Sequence, residues 1–171
     1  EDRGVDAREA MLALIDEESN NVGGVSHTRI ESDVRFFMQY EHAMIGSDGR
    51  AISPDGWWAI DKPHPRFYGC YPRILGRYVR EDGVLPLETA IYKMSGFPAK
   101  RLGLKDRGLV QEGFAADLVV FNPDTIIDHA DFDEPHQLST GVSHVYVNGQ
   151  AIISDGTHTG ARPGRVLRRG A

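Results

Sequence analysis

Several patterns that mark common protein classes are scarce in this chain of 171 residues. Its single cysteine, Cys70, excludes an intrachain disulfide and fits the reducing cytoplasm, where we expect the protein to work. The longest apolar run falls far short of the ~18 residues that a membrane span needs, so we expect no membrane association. Basic residues form no long run and the net charge is −6, which argues against a nucleic-acid partner.

Histidine patterns typical of zinc sites are also missing. The seven histidines form no His-x-His pair and no His-x-x-x-His pair. A glycine-rich phosphate loop is absent too. We therefore interpret most of the histidines as structural or surface residues, and Cys70 as a packed residue rather than a nucleophile.

The composition that remains is that of a globular domain, with 40% hydrophobic and 26% charged residues. Helical spacing predicts helices over residues 6–18, from about residue 30, over 71–81, from Pro86 and near 99–102, with a short strand at 22–27. Strands are predicted at 118–121, 145–147 and 151–153. The last two flank Asn148 and Gly149, a pair typical of a type I′ hairpin turn.

Asp48 is the first candidate for chemistry. It follows a short apolar run, residues 43–45, which we predict to be a buried strand, and it lies between Gly46 and Gly49. Barrel enzymes carry their catalytic groups at the carboxyl ends of strands, and flanking glycines let a substrate approach the backbone. A carboxylate there could bind a metal or move a proton. The alternative is that Asp48 only shapes a turn, since Ser-Asp-Gly is common turn chemistry.

A second candidate is the tripeptide formed by His64, Pro65 and Arg66. An arginine fork beside a rigid proline suits the carboxylate of a substrate, and His64 could contact the substrate or support its neighbours. The alternative is a surface loop with incidental charge.

Together with their surroundings, these motifs closely resemble the C-terminal region of N-acyl-D-amino-acid deacylases (D-aminoacylases), members of the amidohydrolase superfamily. The resemblance covers nearly the whole chain and rests on residues 43–49, 64–69 and 72–78, on the segment 87–104, and on the closing patterns at 108–121 and 145–149. The closing patterns are specific to the superfamily. The stretch from Asp48 to Arg66 points to the D-aminoacylase branch.

The resemblance implies a fold and a domain division. The expected class is α/β, with residues 1–107 forming the last strands and helices of a (β/α)8 TIM barrel. Residues 108–171 would form part of a small β-sandwich and a tail. The family's other metal ligands lie in an N-terminal barrel portion that nothing here matches. We therefore expect this chain to be part of a longer or split enzyme whose missing barrel portion is its partner.

The resemblance also assigns roles. Asp48 matches the family's acid/base aspartate near the metal and is a candidate metal ligand, with zinc held mainly by residues outside this chain. Arg66 matches the arginine that holds the substrate carboxylate, and His64 is a neighbour whose role is open. The implied activity is zinc-dependent hydrolysis of the amide bond of N-acyl-D-amino acids. The alternatives are a cyclic-amide hydrolase of the dihydroorotase or hydantoinase type and a non-catalytic interaction module.

Overall fold

The computed structural model describes residues 4–23, 28–60 and 62–168. It divides the chain into two compact units, Glu1–Asp33 and Val34–Ala171. No helix among the described residues is long and apolar enough to cross a bilayer. The predicted boundary between residues 107 and 108 stays a prediction.

The first unit contains helix α1, Ala7–Glu17, as its spacing predicts. The helix begins after Asp6, whose side chain accepts a hydrogen bond from the backbone N–H of Arg8 at 3.0 Å. This cap satisfies one of the N–H groups that a helix start leaves without a partner. Residues 22 and 23 have no regular structure, and residues 24–27 of the predicted strand lie outside the described residues.

The second unit holds the hydrophobic core. Helix α2, Glu31–Gln39, contributes Met38 to a cluster of buried side chains. The other members come from the helices that follow and from two loops, the latter providing Leu85 and Ile126: Ile74, Leu75, Tyr78, Leu85, Ala90 and Ile126. Ala90 lies on helix α4, Leu87–Met94, which is followed by α5, Gly96–Leu102.

The helix predicted at 71–81 begins five residues earlier. Helix α3, Arg66–Arg73, starts after Pro65, whose backbone φ of −51° is already helical. It continues as a wider π-helix, Ile74–Glu81. Gly76 makes this packing possible, because a Cβ there would lie 2.4 Å from the backbone oxygen of Ile126.

The sheet has four strands in the order β1-β2-β3-β4, all antiparallel to their neighbours. The strands are β1, Leu118–Phe121; β2, Val142–Val147; β3, Gln150–Ser154; and β4, Thr157–His158. Asn148 and Gly149 connect β2 to β3 with φ values of +48° and +79°. Two positive φ values are what a type I′ turn requires, so the predicted hairpin is confirmed.

The predicted strand at residues 43–45 does not form. In the part of the chain that the structure describes, this run pairs with no strand, and the N–H of Ile45 donates instead to the backbone oxygen of Lys93 at 3.1 Å. The apolar run is packed nonetheless, since Ile45 lies against the core cluster. A strand needs a hydrogen-bonded neighbouring strand, whereas here Lys93 on α4 bonds to this stretch, through its backbone oxygen at Ile45 and its Nζ at Ala43.

Candidate functional site

The backbone at Asp48 adopts an uncommon conformation. Its φ is +46°, in the left-handed region that aspartate, asparagine and glycine tolerate best. The next N–H, that of Gly49, donates to the hydroxyl of Ser47 at 3.1 Å. A Cβ on Gly49 would lie 3.2 Å from the Cα of Phe67, so this loop approaches the start of α3 closely. The turn therefore presents the Asp48 carboxylate beside that helix.

Arg66, the first residue of α3, contacts Asp48 at two points. Its Nε donates to the backbone oxygen of Asp48 at 3.0 Å, and its Nη2 lies 2.8 Å from the Asp48 carboxylate. The Asp48 side chain is 86% exposed and that of Arg66 39% exposed. An exposed ion pair of this kind contributes only about 0–1 kcal/mol, so a ligand can compete for either member.

His64 is oriented by the same helix start. Its Nδ1 accepts a hydrogen bond from the backbone N–H of Arg66 at 3.1 Å. A neutral imidazole that accepts at Nδ1 carries its proton on Nε2, which makes the other side of the ring a donor. The pKa of His64 is lowered, first by burial and then by the positive charge of Arg66, while Asp48 opposes the shift. The ring therefore favours the neutral form.

Lys93 on α4 fixes the backbone that leads to Asp48. Its side chain is buried, and its Nζ donates to the backbone oxygens of Tyr40 at 2.5 Å and Ala43 at 3.1 Å. Burial lowers the pKa of this ammonium group, whereas Glu41 opposes the shift. The backbone oxygen of Lys93 also accepts the N–H of Ile45, so Lys93 makes three hydrogen bonds to residues 40–45.

A segment from the C-terminal half of the chain lies against α3. Arg73 pairs with Asp128 at 2.9 Å, and the Asp128 side chain is only 5% exposed. The hydroxyl of Tyr68 lies 3.0 Å from Nδ1 of His136. The ring of Phe132 meets that of His64 edge to face, with centroids 5.1 Å apart.

Cys70, on the same helix, is half-buried and has no disulfide partner. Burial raises the pKa of its thiol, Arg66 lowers it and Asp128 raises it further. A thiol whose pKa is raised is a poor nucleophile near neutral pH. The expectation of a packed rather than reactive cysteine agrees with this environment.

Comparison with known proteins gives these residues a context. Residues 43–153 match the model of the amidohydrolase family, a span that includes Asp48, His64, Arg66, strands β1 and β2 and most of β3. The chain belongs to the amidohydrolase family.

Relatives compared by sequence and by solved structure indicate which amidohydrolases this chain clearly resembles. A D-aminoacylase of Alcaligenes xylosoxydans xylosoxydans is 44% identical over 149 residues, which cover 87% of this chain and 29% of that protein. A solved structure of D-aminoacylase, described as having a binuclear metal centre, is 46% identical, with a TM-score of 0.73 over 82% of this chain and 28% of the other.

A third relative is the N-acyl-D-glutamate deacylase of Bordetella bronchiseptica, solved with zinc and a phosphonate inhibitor. It is 41% identical, with a TM-score of 0.69 over 81% of this chain and 28% of that one. This amidohydrolase chain thus resembles D-aminoacylases closely while spanning less than a third of the length of the relatives it matches.

The described side chains of this amidohydrolase chain do not form a metal centre by themselves. Among residues 4–23, 28–60 and 62–168, no three His, Cys, Asp or Glu side chains lie close enough together to hold a metal ion. Asp48 offers one exposed carboxylate. It could provide a single oxygen ligand, whereas a zinc site in a protein takes about three or four.

All three residues singled out from the sequence of this amidohydrolase come together. Arg66 contacts both Asp48 and His64, and the charge of Asp48 affects the pKa of His64. Sequence reasoning missed Lys93, Phe132 and Asp128. A lysine on a helix and an acidic loop look like ordinary surface residues, and only the burial of Lys93 and Asp128 in the folded chain distinguishes them.

Proposed function

We propose that the whole protein hydrolyses the amide bond of N-acyl-D-amino acids, and that this chain provides its proton shuttle and its carboxylate-binding arm. The observation that carries the proposal is the direct contact between Arg66 and Asp48, 18 residues apart, at the start of α3. The similarity to D-aminoacylases along 87% of the chain supports the substrate class.

Asp48 is the proposed acid/base group. An exposed carboxylate held in place by a guanidinium can take a proton from the attacking water and return it to the leaving amine. The zinc that would assist this reaction takes its other ligands from outside the described residues. We also propose that the protein works in the reducing cytoplasm.

Arg66 is the proposed anchor for the substrate carboxylate. Its Nε and Nη2 face Asp48, and no hydrogen bond from its Nη1 to a described residue is found. A guanidinium can bind one carboxylate with one edge and another group with the second edge. Arg66 can therefore hold the α-carboxylate while it stays in contact with Asp48.

His64 is proposed as a second donor to the same carboxylate. Its Nδ1 is occupied by the N–H of Arg66, so its Nε2–H is the group that a ligand can reach. A neutral donor beside Arg66 adds direction without adding a second repelling charge.

The fold proposed for the whole protein follows the same resemblance. Residues 1–107 would belong to a (β/α)8 barrel, and residues 108–171 to a small β-sandwich with a tail. The run at 43–45 would then pair with strands of the barrel portion that this chain does not contain, and that portion would be its partner.

The test is an assay of the whole zinc-loaded protein on N-acetyl-D-amino acids, with the L-enantiomers as the matched control. We expect hydrolysis of the D-compounds and a loss of about 10²- to 10⁴-fold in kcat for Asp48→Asn. Asparagine keeps the shape of the side chain and tolerates the left-handed backbone, so the fold is preserved. Unchanged turnover in Asp48→Asn would refute the shuttle, and preference for a cyclic amide would refute the substrate class.

A further inference from the structure

The segment 128–136, which we call the bracing segment, makes three separate contacts with α3 and with His64, two residues before it. These are the Phe132–His64 ring contact, the Tyr68–His136 hydrogen bond and the Arg73–Asp128 ion pair. The three partners on the α3 side, His64, Tyr68 and Arg73, lie four and five residues apart. The contacts therefore extend along the whole of α3, from two residues before its start to its last residue, Arg73.

Asp128 makes the most buried of these contacts. Its side chain is 5% exposed, and it accepts a hydrogen bond from Nη1 of Arg73 at 2.9 Å. It also touches the helix backbone, because a Cβ on Gly69 would lie 2.8 Å from the Cβ of Asp128. A charge-assisted pair whose carboxylate is buried and also packs against the backbone leaves the helix little freedom to slide or rotate.

The helix that is braced in this way carries the carboxylate-binding arm. Arg66 is its first residue, and the backbone N–H of Arg66 holds His64 through Nδ1. The ring of Phe132 contacts the His64 ring edge to face. A small rotation of α3 would therefore move the Arg66 guanidinium and the His64 Nε2–H together.

We propose that the bracing segment positions Arg66 and His64 for the substrate carboxylate, with Asp128 and Phe132 as its positioning residues. This inference rests on the proposed function, since it names what sets the geometry of that site. Each acts through a group that the proposed function places at the substrate: Asp128 through Arg66, whose helix it contacts, and Phe132 through the His64 ring.

The first experiment compares Asp128→Asn with Asp133→Asn in the whole zinc-loaded protein. Asp133 lies in the same segment, is exposed, and makes no side-chain contact that the structure shows, so it controls for the chemical change. We expect Asp128→Asn to raise KM for an N-acetyl-D-amino acid about tenfold, with kcat kept within about twofold, because carboxylate binding rather than chemistry is disturbed. The control should leave both constants unchanged.

The second arm replaces the substrate carboxylate by a carboxamide. Because this analogue lacks the charge that Arg66 binds, its KM should not rise in Asp128→Asn. An equal rise for both substrates, or a loss of kcat alone, would overturn the positioning role. If Asp128→Asn does not fold, Tyr68→Phe removes only the hydroxyl that meets His136, and a KM increase of about threefold for the carboxylate alone is expected.

Hydrogen exchange read by mass spectrometry needs no substrate. In Asp128→Asn, the amides of residues 66–73 should exchange about tenfold faster while those of α4 keep their rates. Unchanged exchange in α3 would overturn the proposal. A protein that hydrolyses no N-acyl amino acid but shows faster exchange in α3 would instead overturn the proposed function and leave the bracing of the helix established.

Discussion

The Arg66 side chain contacts both the main chain and the side chain of Asp48. Its Nε donates to the Asp48 backbone oxygen at 3.0 Å, and its Nη2 lies 2.8 Å from the Asp48 carboxylate. One side chain thus fixes both where the Asp48 loop lies and where its carboxylate points. Both groups are exposed, so the contact adds little to stability. Its value lies in geometry, since it joins the proposed proton shuttle to the proposed carboxylate anchor.

Replacing Arg66 by lysine tests that geometry. A lysine keeps the charge but cannot serve the Asp48 backbone, its carboxylate and a substrate carboxylate together. We expect Arg66→Lys to raise KM for an N-acetyl-D-amino acid about 10- to 100-fold, the effect of losing a hydrogen bond to a charged group. Steady-state kinetics measure it, with Arg101→Lys on the exposed end of α5 as the control. Equal KM values in Arg66→Lys and Arg101→Lys would contradict the anchor.

The titration of His64 gives a second prediction. Its pKa lies below the ordinary value because of burial and the Arg66 charge, against the opposing effect of Asp48. Arg66→Met should therefore raise the pKa of His64, and Asp48→Asn should lower it further. The pH titration of the C2–H resonance of His64, followed by NMR in protein labelled with ¹³C-histidine, measures the pKa in both variants. Shifts in the opposite directions would show that the charges near His64 are not those described.

The same shift predicts how stability changes with pH. A histidine whose folded pKa is lowered takes up a proton more readily when unfolded, so the unfolded state gains from acid. The stability contributed by neutral His64 is thus complete above its unfolded pKa of about 6.5 and is lost as pH falls through the lower folded pKa. The denaturant midpoints of the wild type and of His64→Gln should approach each other as the pH is lowered. A constant difference between the two midpoints at all pH values would contradict this.

Lys93→Met tests the buried lysine. Methionine fills a similar space and avoids burying a charge, which alone can stabilise a protein. It also removes the donor of the Ala43 oxygen, at about 1–3 kcal/mol for an unsatisfied group, and one of two donors of the Tyr40 oxygen, which keeps the N–H of Ala43. We expect the second effect to dominate, with a loss of about 2 kcal/mol in the free energy of unfolding. Lys100→Met, at an exposed position of α5, is the control, and equal stability of the two variants would exclude the role.

Gly76→Ala tests the close approach of the π-helix to residue 126. The added Cβ would lie 2.4 Å from the backbone oxygen of Ile126 and 2.6 Å from Cδ1 of Ile127, so one element must move. We expect a loss of about 1–3 kcal/mol, as for other overpacked sites. Gly164→Ala meets nothing within 4 Å and is the matched control. Thermal unfolding compares the two, and an unchanged transition in Gly76→Ala would contradict the packing.

Elements decided by local chemistry could be predicted from the sequence. Helix α1, strand β1 and the hairpin at Asn148 and Gly149 form as predicted, because apolar spacing, a short apolar run and a pair of left-handed residues respectively determine them. The three candidate site residues could be named for a similar reason, since their motifs are contiguous in the chain.

Elements decided by distant partners could not be predicted. Residues 43–45 have the composition of a strand, yet their backbone bonds to Lys93, about 50 residues away. Nothing near Asp128 in the sequence indicates that it pairs with Arg73. The wider π-helix likewise depends on how Gly76 meets Ile126. Such contacts are set by packing, which periodicity does not record.

The left-handed backbone at Asp48 also limits how this position can drift over generations. Asparagine and glycine are each one base change away from an aspartate codon, and both accept a φ of +46° at least as easily as aspartate does. Each would keep the loop folded and remove the acid. A duplicated copy of the gene under relaxed selection could therefore lose its proposed chemistry in a single step and persist as an intact, well-folded, silent protein.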